Sequence, residues 1–536
     1  MSSTRPRRLA LAAAAAAAAL ALAACAPGGQ PDDTATDAPT AERLYIEAIS
    51  ADPTSMNPQF AGGPIPLRFG FAVLGTLVEV TDSYEILPGL AESWEFSPDG
   101  LTITFKIRQG VTWHDGEPFT VDDVIFNFEE IMPLQTFGKA LTSAIDSIEA
   151  PDDSTVVLTM NSQYGPFLEA LSQQAITPKH IYEGTDYVTN PANLAPIGTG
   201  PMMFESFEPG AQVVLVKNPD WWGGDVQVDR AIYPVMTDVN TRTLAMLAGE
   251  LDSAIIDPAQ QDQVTANPDL ELLDGGVFRQ GITVTFNSLL PELESADVRA
   301  LIFAAIDREA VTQRALSGIG EAANSFFPDT LAWAQSPDVN FEKDFPRDLD
   351  AINAGLDAAG YPVQSDGWRF SLDLRFISAL SDVGAAGEVV KSSLADVGIN
   401  VNLVGTAEPV WMEEVYQNSN FGISMIRSTV SADPSLGISR WMISNPDRIP
   451  VTNGSGISDA ELDAAAQGAL STLDRDERAT YFHTMQERAR DLIYYAPLSW
   501  SNGSNYTVNT TRWENLNATD GQTNNPPWAT MSWIGG

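Results

Sequence analysis

Three histidines, one cysteine and 71 acidic side chains are the groups in this 536-residue chain with the most obvious chemical potential. His114, His180 and His483 stand far apart, and no H-E-x-x-H, G-x-S-x-G or Walker pattern occurs. A single cysteine excludes an internal disulfide, an iron–sulfur cluster and a thiolate zinc site. His114-Asp115-Gly116 invites a metal or acid–base reading. It falls, however, between a strand ending near Val111 and a helix beginning near Val121, where a turn calls for the same residue types. Gly198-Thr199-Gly200-Pro201 lacks the G-x-G-x-x-G spacing of a dinucleotide loop and any following Lys. Carboxylate pairs for glycoside hydrolysis are available by number, but nothing singles one pair out. No catalytic residue, metal site or cofactor is therefore expected.

The elements that must position any site come from a chain with 44% hydrophobic residues, enough for a substantial core. Its length exceeds one core and suggests roughly two to four domains. The formal charge of −42 argues against nucleic acid, which needs clustered Lys and Arg. Only six of the 29 basic residues are Lys, so no polybasic membrane patch is available.

The first 25 residues read as an address. Arg5, Arg7 and Arg8 precede the apolar run 9–24, which is too short for a typical membrane span of about 20 residues. Leu22-Ala23-Ala24-Cys25 resembles a bacterial lipobox, in which Cys25 is diacylated and becomes the mature N-terminus. The competing reading is a secretory peptide cut near Ala24, with Cys25 incidental. Residues 26–40, rich in Pro, Gly, Asp and Thr, read as a flexible tether. The folded part is thus expected on the outer face of the cytoplasmic membrane, held by lipid alone. Without the three leader arginines the charge becomes −45, mostly solvated surface.

From about Leu44 the pattern is mixed α/β. Residues 45–50, 101–108, 154–160 and 211–218 read as strands, with Leu101, Ile103, Phe105 and Ile107 alternating onto one face behind the turn Ser97-Pro98-Asp99-Gly100. Apolar residues at three- and four-residue spacing predict an amphipathic helix over 296–316. Ser458 to Glu461 reads as a capping box, and 475–495 as a helix burying Tyr481, Phe482, Met485 and Leu492. No fixed-period repeat is present.

The stretch 87–129, LPGLAESWEFSPDGLTITFKIRQGVTWHDGEPFTVDDVIFNFE, closely resembles the signature region of family 5 extracytoplasmic solute-binding proteins. These are the dipeptide, oligopeptide and nickel-type receptors of ABC importers. Further matches follow in order at 176–182, 196–210, 215–224, 244–256, 297–311 and 431–434, so the resemblance covers residues 44–536. It implies a periplasmic-binding-protein-like α/β fold of two lobes joined by a hinge. Lobe I would take 41–281, with an inserted subdomain at about 67–196, and be completed by 497–536; lobe II would take 282–496. A solute, peptide or oligosaccharide, would be enclosed between the lobes of a monomer and handed to a membrane permease. Trp94, Phe105 and Trp113 would be core.

In peptide-binding members a Trp-x-x-Asp precedes an Asp-Pro in lobe II, and that Asp holds the peptide's α-amine. Counting back from Asp433-Pro434, the Asp position carries Val430 and the Trp position Arg427. The usual amine anchor is absent and a cation stands close to its place. Arg427 either binds an anionic or planar part of the ligand or pairs with a neighbouring acid. The resemblance also implies ligand contacts at Trp411, Trp500, and Phe60 with Gly62; Trp441 either lines the pocket or packs within lobe II. Two receptor readings stay open: a peptide or peptide-like solute, and an oligosaccharide or anionic conjugate. Metal chelates rank behind both, because no His pair aligns with the cleft. A secreted hydrolase is the reading from another class.

Overall fold

The computed structural model describes residues 42–61, 64–81, 84–257, 260–273, 279–501, 506–516 and 526–535. Cys25, the leader, the tether and Gly62 lie outside the described residues.

Alternating apolar residues build three main sheets. The first has seven strands in the order Leu270–Leu272, Tyr506–Asn509, Ser253–Ile255, Leu44–Ala48, Arg230–Pro234, Gln212–Lys217 and Met202–Glu208. Its central strand Leu44–Ala48 runs parallel to both neighbours. The second has six strands: Glu321–Ala322, Tyr495–Ser501, Gln280–Phe286, Ile423–Thr429, Phe370–Ile377 and Ile399–Thr406. The third is a four-stranded antiparallel sheet of Ala91–Phe96, Thr102–Ile107, Thr155–Met160 and Ile145–Asp152. Each sheet has its own core. Phe105 and Trp113 pack in that of the third, against which Trp94 lies half-buried. The chain passes from the first sheet to the second between Leu272 and Gln280, and returns between Ser501 and Tyr506.

The strand readings hold except at one end: Ile103, Phe105 and Ile107 are buried, but Leu101 precedes the strand Thr102–Ile107 and is exposed, because Gly100 closes the turn before it at φ +68° with its N–H on the Ser97 carbonyl. The helix predicted over 296–316 is instead two, Ala296–Ala305 and Arg308–Ala315. Asp307 breaks it, because its side chain accepts from the Ala310 N–H and starts a new helix. The cap expected at Ser458 is likewise Asp459, which accepts from Glu461 and Leu462 N–H groups ahead of Ala460–Leu470. Helix Arg475–Leu492 buries Phe482 and Met485 fully, with Tyr481 and Leu492 at the margin of the same core. His114-Asp115-Gly116 is a turn, with the Gly116 N–H on the Trp113 carbonyl. Among the described residues no helix is long and apolar enough to cross a membrane.

Candidate functional site

The two strands that carry the chain between sheets lie side by side, with Gln280 opposite Ser501 and Gly281 opposite Trp500. A side chain at 281 has no room: a Cβ there would sit 2.5 Å from the Trp500 indole. Glycine thus lets the ring lie across the neighbouring strand. On the far side of Gly281 stands Ser428, and beyond Trp500 stands Glu321, so one row across four strands reads Ser428, Gly281, Trp500, Glu321. The Trp500 Nε1 is buried without a hydrogen-bond partner.

Arg279 precedes this row, and its carbonyl accepts from the Val430 N–H at 2.9 Å. Its charge acts on two groups nearby. One is Glu321, whose pKa is raised by burial and by Asp329 while Arg279 opposes them. The other is Tyr84, which the turn between Val78–Val80 and Ile86–Pro88 presents at φ 60° into the core of the six-stranded sheet. Burial pushes the Tyr84 phenol up to about 12, opposed by Thr330 and by Arg279. The chain crossing therefore gathers an aromatic, a phenol, a guanidinium and a carboxylate from separate segments.

A second contact joins the regions from the other side. After Ile423–Thr429, the Ser431 hydroxyl accepts from the Gln173 amide at 3.1 Å. The Gly165 N–H donates to the Leu470 carbonyl at 2.6 Å. Below this loop the Arg478 Nη2 meets Asp433 Oδ1 at 2.7 Å with both side chains almost wholly buried. Glu169 lies against the pair; burial and the Asp433 charge push its pKa up to about 7, with Arg478 opposing.

The site residues expected from sequence scatter differently. Trp500 is at the crossing and Val430 is beside it, fully buried in the lobe core. Trp441 stacks on Tyr495 with centroids 5.9 Å apart and planes 4° apart. Arg427 pairs across the sheet with Ile282, one step from Ser428, so alternation turns it to the opposite face. There its Nε donates to Asp382 Oδ2 at 2.6 Å, the structural pairing rather than an open cation. Trp411 is fully buried in a separate cluster with Ile377, Val415, Tyr416 and Phe421, its Nε1 on the Arg375 carbonyl at 3.4 Å. Phe60 stacks on Tyr182, 6.2 Å away. Sequence reasoning missed Tyr84, Arg279 and Glu321. Arg279 carried a readable signal, a lone cation just before the crossing strand; Tyr84 and Glu321 carried none. Among the described residues no group of three or more metal-ligating side chains converges.

A two-lobe binding protein is the class that this arrangement defines. A family profile described as bacterial extracellular solute-binding proteins, family 5, middle, matches residues 85–447. The chain is 26% identical over 450 residues to di/tripeptide-binding protein 1 of Pseudomonas aeruginosa, covering 78% of this chain and 81% of that one. It is 25% identical over 454 residues to heme-binding protein A of Haemophilus influenzae, covering 78% and 80%. The solved structure of the periplasmic binding protein DppA from Helicobacter pylori, in complex with peptide STSA, matches with a TM-score of 0.73 at 24% identity, over 91% of this chain and 98% of that one. The chain belongs to the family 5 extracellular solute-binding proteins. It is a solute-binding component of an ABC importer and not an enzyme.

Proposed function

We propose that this protein is a lipid-anchored receptor that captures a peptide or peptide-like solute between its lobes and delivers it to a membrane permease. In this reading lobe I comprises 41–281 and 497–536, lobe II comprises 282–496, and diacylated Cys25 tethers both to the outer face of the membrane. The observation that carries the ligand class is the crossing itself, where Arg279 and Glu321 offer charges of both signs beside Tyr84 and Trp500. A zwitterion with apolar side chains suits that set. Glu321 supplies a carboxylate for an ammonium group where position 430 has none. The names of relatives that bind di- and tripeptides, or a peptide in a solved complex, support the same class.

Titration of intrinsic tryptophan fluorescence with dipeptides, oligopeptides and oligosaccharides tests the reading. Peptides with a free amine should bind and their N-acetyl forms should bind at least about tenfold more weakly, the loss of one charge-assisted hydrogen bond. Saturable binding of oligosaccharides with no response to any peptide overturns it. Mass spectrometry of whatever co-purifies checks the outcome without a chosen panel. For the anchor, Cys25→Ser should release the protein from the membrane fraction; retention there sinks the lipid reading.

A further inference from the structure

Several arginines of the six-stranded-sheet region are matched to an acid: Arg427 to Asp382, Arg375 to Glu414, Arg369 to Asp357 and Arg478 to Asp433. Arg440 is not. Among the described residues it makes no ion pair, its Nε is buried without a partner, and no carboxylate charge reaches it. Its guanidinium lies over the Trp441 indole, 5.5 Å from the ring centroid, and the Tyr495 and Tyr416 phenols act on it electrostatically. Arg440 is half-buried, and arginine cannot shed its proton to relieve desolvation, so a guanidinium whose Nε is buried without a counter-charge is costly in the empty protein.

The neighbours share the same deficit. The short turn Ile438–Trp441 is held against the end of strand Ile423–Thr429, because Gly437 packs on Ser431 and the Thr429 carbonyl with no space for a side chain. That brings Ser439, Arg440 and Trp441 under the sheet face that carries Ser428 and Tyr495. The Tyr495 hydroxyl lies beside the Ser428 hydroxyl and the Arg440 guanidinium. The Ser439 hydroxyl and the Trp441 Nε1 are buried without a hydrogen-bond partner, and the Ser428 and Tyr495 hydroxyls have only each other. Their residues are at most 5% exposed. Every one of these groups can donate, and the guanidinium and indole can only donate. What the cluster lacks is an acceptor bearing negative charge.

We propose that Arg440, with Ser428, Ser439, Trp441 and Tyr495 around it, is a subsite for a carboxylate of the transported solute, so that the preferred ligands are acidic peptides. The subsite rests on the receptor reading above and adds to it the class of side chain selected. A carboxylate there gains charge-assisted hydrogen bonds from the guanidinium and gives the Ser439 hydroxyl and the Trp441 N–H the acceptor they lack.

Calorimetric titration of the mature full-length chain with Ala-Glu-Ala and Ala-Gln-Ala tests it. These tripeptides differ only in the side-chain charge. The wild type should bind Ala-Glu-Ala at least about tenfold more tightly, one hydrogen bond to a charged group. Arg440→Gln should erase that gap by weakening Ala-Glu-Ala much more than Ala-Gln-Ala, and Arg440→Lys should keep part of it. Equal affinities in the wild type, a comparison that needs no variant, overturn the subsite while leaving the peptide reading intact. A gap that survives in Arg440→Gln overturns it too. Binding of neither tripeptide counts against the peptide reading instead, and glutarate then decides the subsite. Saturable thermal stabilisation by glutarate, absent in Arg440→Gln, supports it; no stabilisation of the wild type refutes it.

Discussion

Asp433→Ala should lower the melting temperature by several degrees, and the amount follows from burial. The Asp433 and Arg478 side chains are 1% and 3% exposed and meet at 2.7 Å. Arg478 also donates from Nε to the Ala469 carbonyl, and Asp433 Oδ1 accepts the Ser435 N–H at 2.9 Å. Removing the acid strands a guanidinium in the core, a loss of about 3–5 kcal/mol. The lost cap on Ser435 adds about 1 kcal/mol. Unfolding entropy near 2.1 cal/mol/K per residue gives about 1 kcal/mol/K for roughly 490 residues melting together. A fall of about 4–6 °C is expected, and about twice that where the lobe around the six-stranded sheet, roughly 215 residues, melts alone. Circular dichroism melts at neutral pH read it. Asp433→Asn keeps an oxygen for the cap and isolates the charge. Asp433→Leu with Arg478→Met should recover most of the loss, since apolar groups of similar volume replace buried pairs at little cost. A melting point for Asp433→Ala within 1 °C of wild type would refute the reasoning, as would a double variant no more stable than the single.

Glu169 gives the same region a pH dependence. Its folded pKa of about 7 lies above the unfolded value of 4.5. Its stabilising contribution is complete below pH 4.5 and is lost as pH rises to about 7. Glu169→Gln should flatten the stability profile across that window, and an unchanged profile counts against the assignment. His114 runs the other way. Burial lowers it to about 4, and it donates from Nε2 to the Gly200 carbonyl while Nδ1 accepts from the Gly198 N–H, a neutral ring. Its contribution should be present above pH 6.5 and fade as pH falls toward 4; an imidazole titrating near 6.5 by NMR removes that claim. Arg427→Ala should leave solute affinity within about twofold and cost under about 1 kcal/mol of stability, because a half-exposed pair with Asp382 is worth little. A larger loss of affinity restores Arg427 to the ligand.

Much of the fold was readable because it rests on local rules. Strand alternation found Thr102–Ile107, turn chemistry found Gly100, and long apolar periodicity found Arg475–Leu492. Local rules failed where one side chain outcompeted the pattern, as when Asp307 ended a helix that its apolar neighbours could have continued. The site was harder, because its members are separated by hundreds of residues and meet only through strand pairing. Trp500 was legible from its place near the second crossing. Tyr84 was not, since its place comes from a hairpin reaching into the core of the six-stranded sheet, about 200 residues further along the chain.

The arginines show why residue type alone misleads in so acidic a chain. Arg427 and Arg440 are 13 residues apart in a chain with 71 acids to pair with. Sheet register decides between them. Alternation turns Arg427 to the face where helix Ser381–Ala395 presents Asp382, so its charge is already neutralised. Arg440 instead follows a glycine turn under the opposite face, where its charge meets tyrosines, serines and an indole. A cation becomes informative when the fold withholds its counter-charge, and that is a property of neighbours that no motif records. The cation that the receptor reading singles out is therefore Arg440, and the carboxylate it lacks is one that a solute can bring.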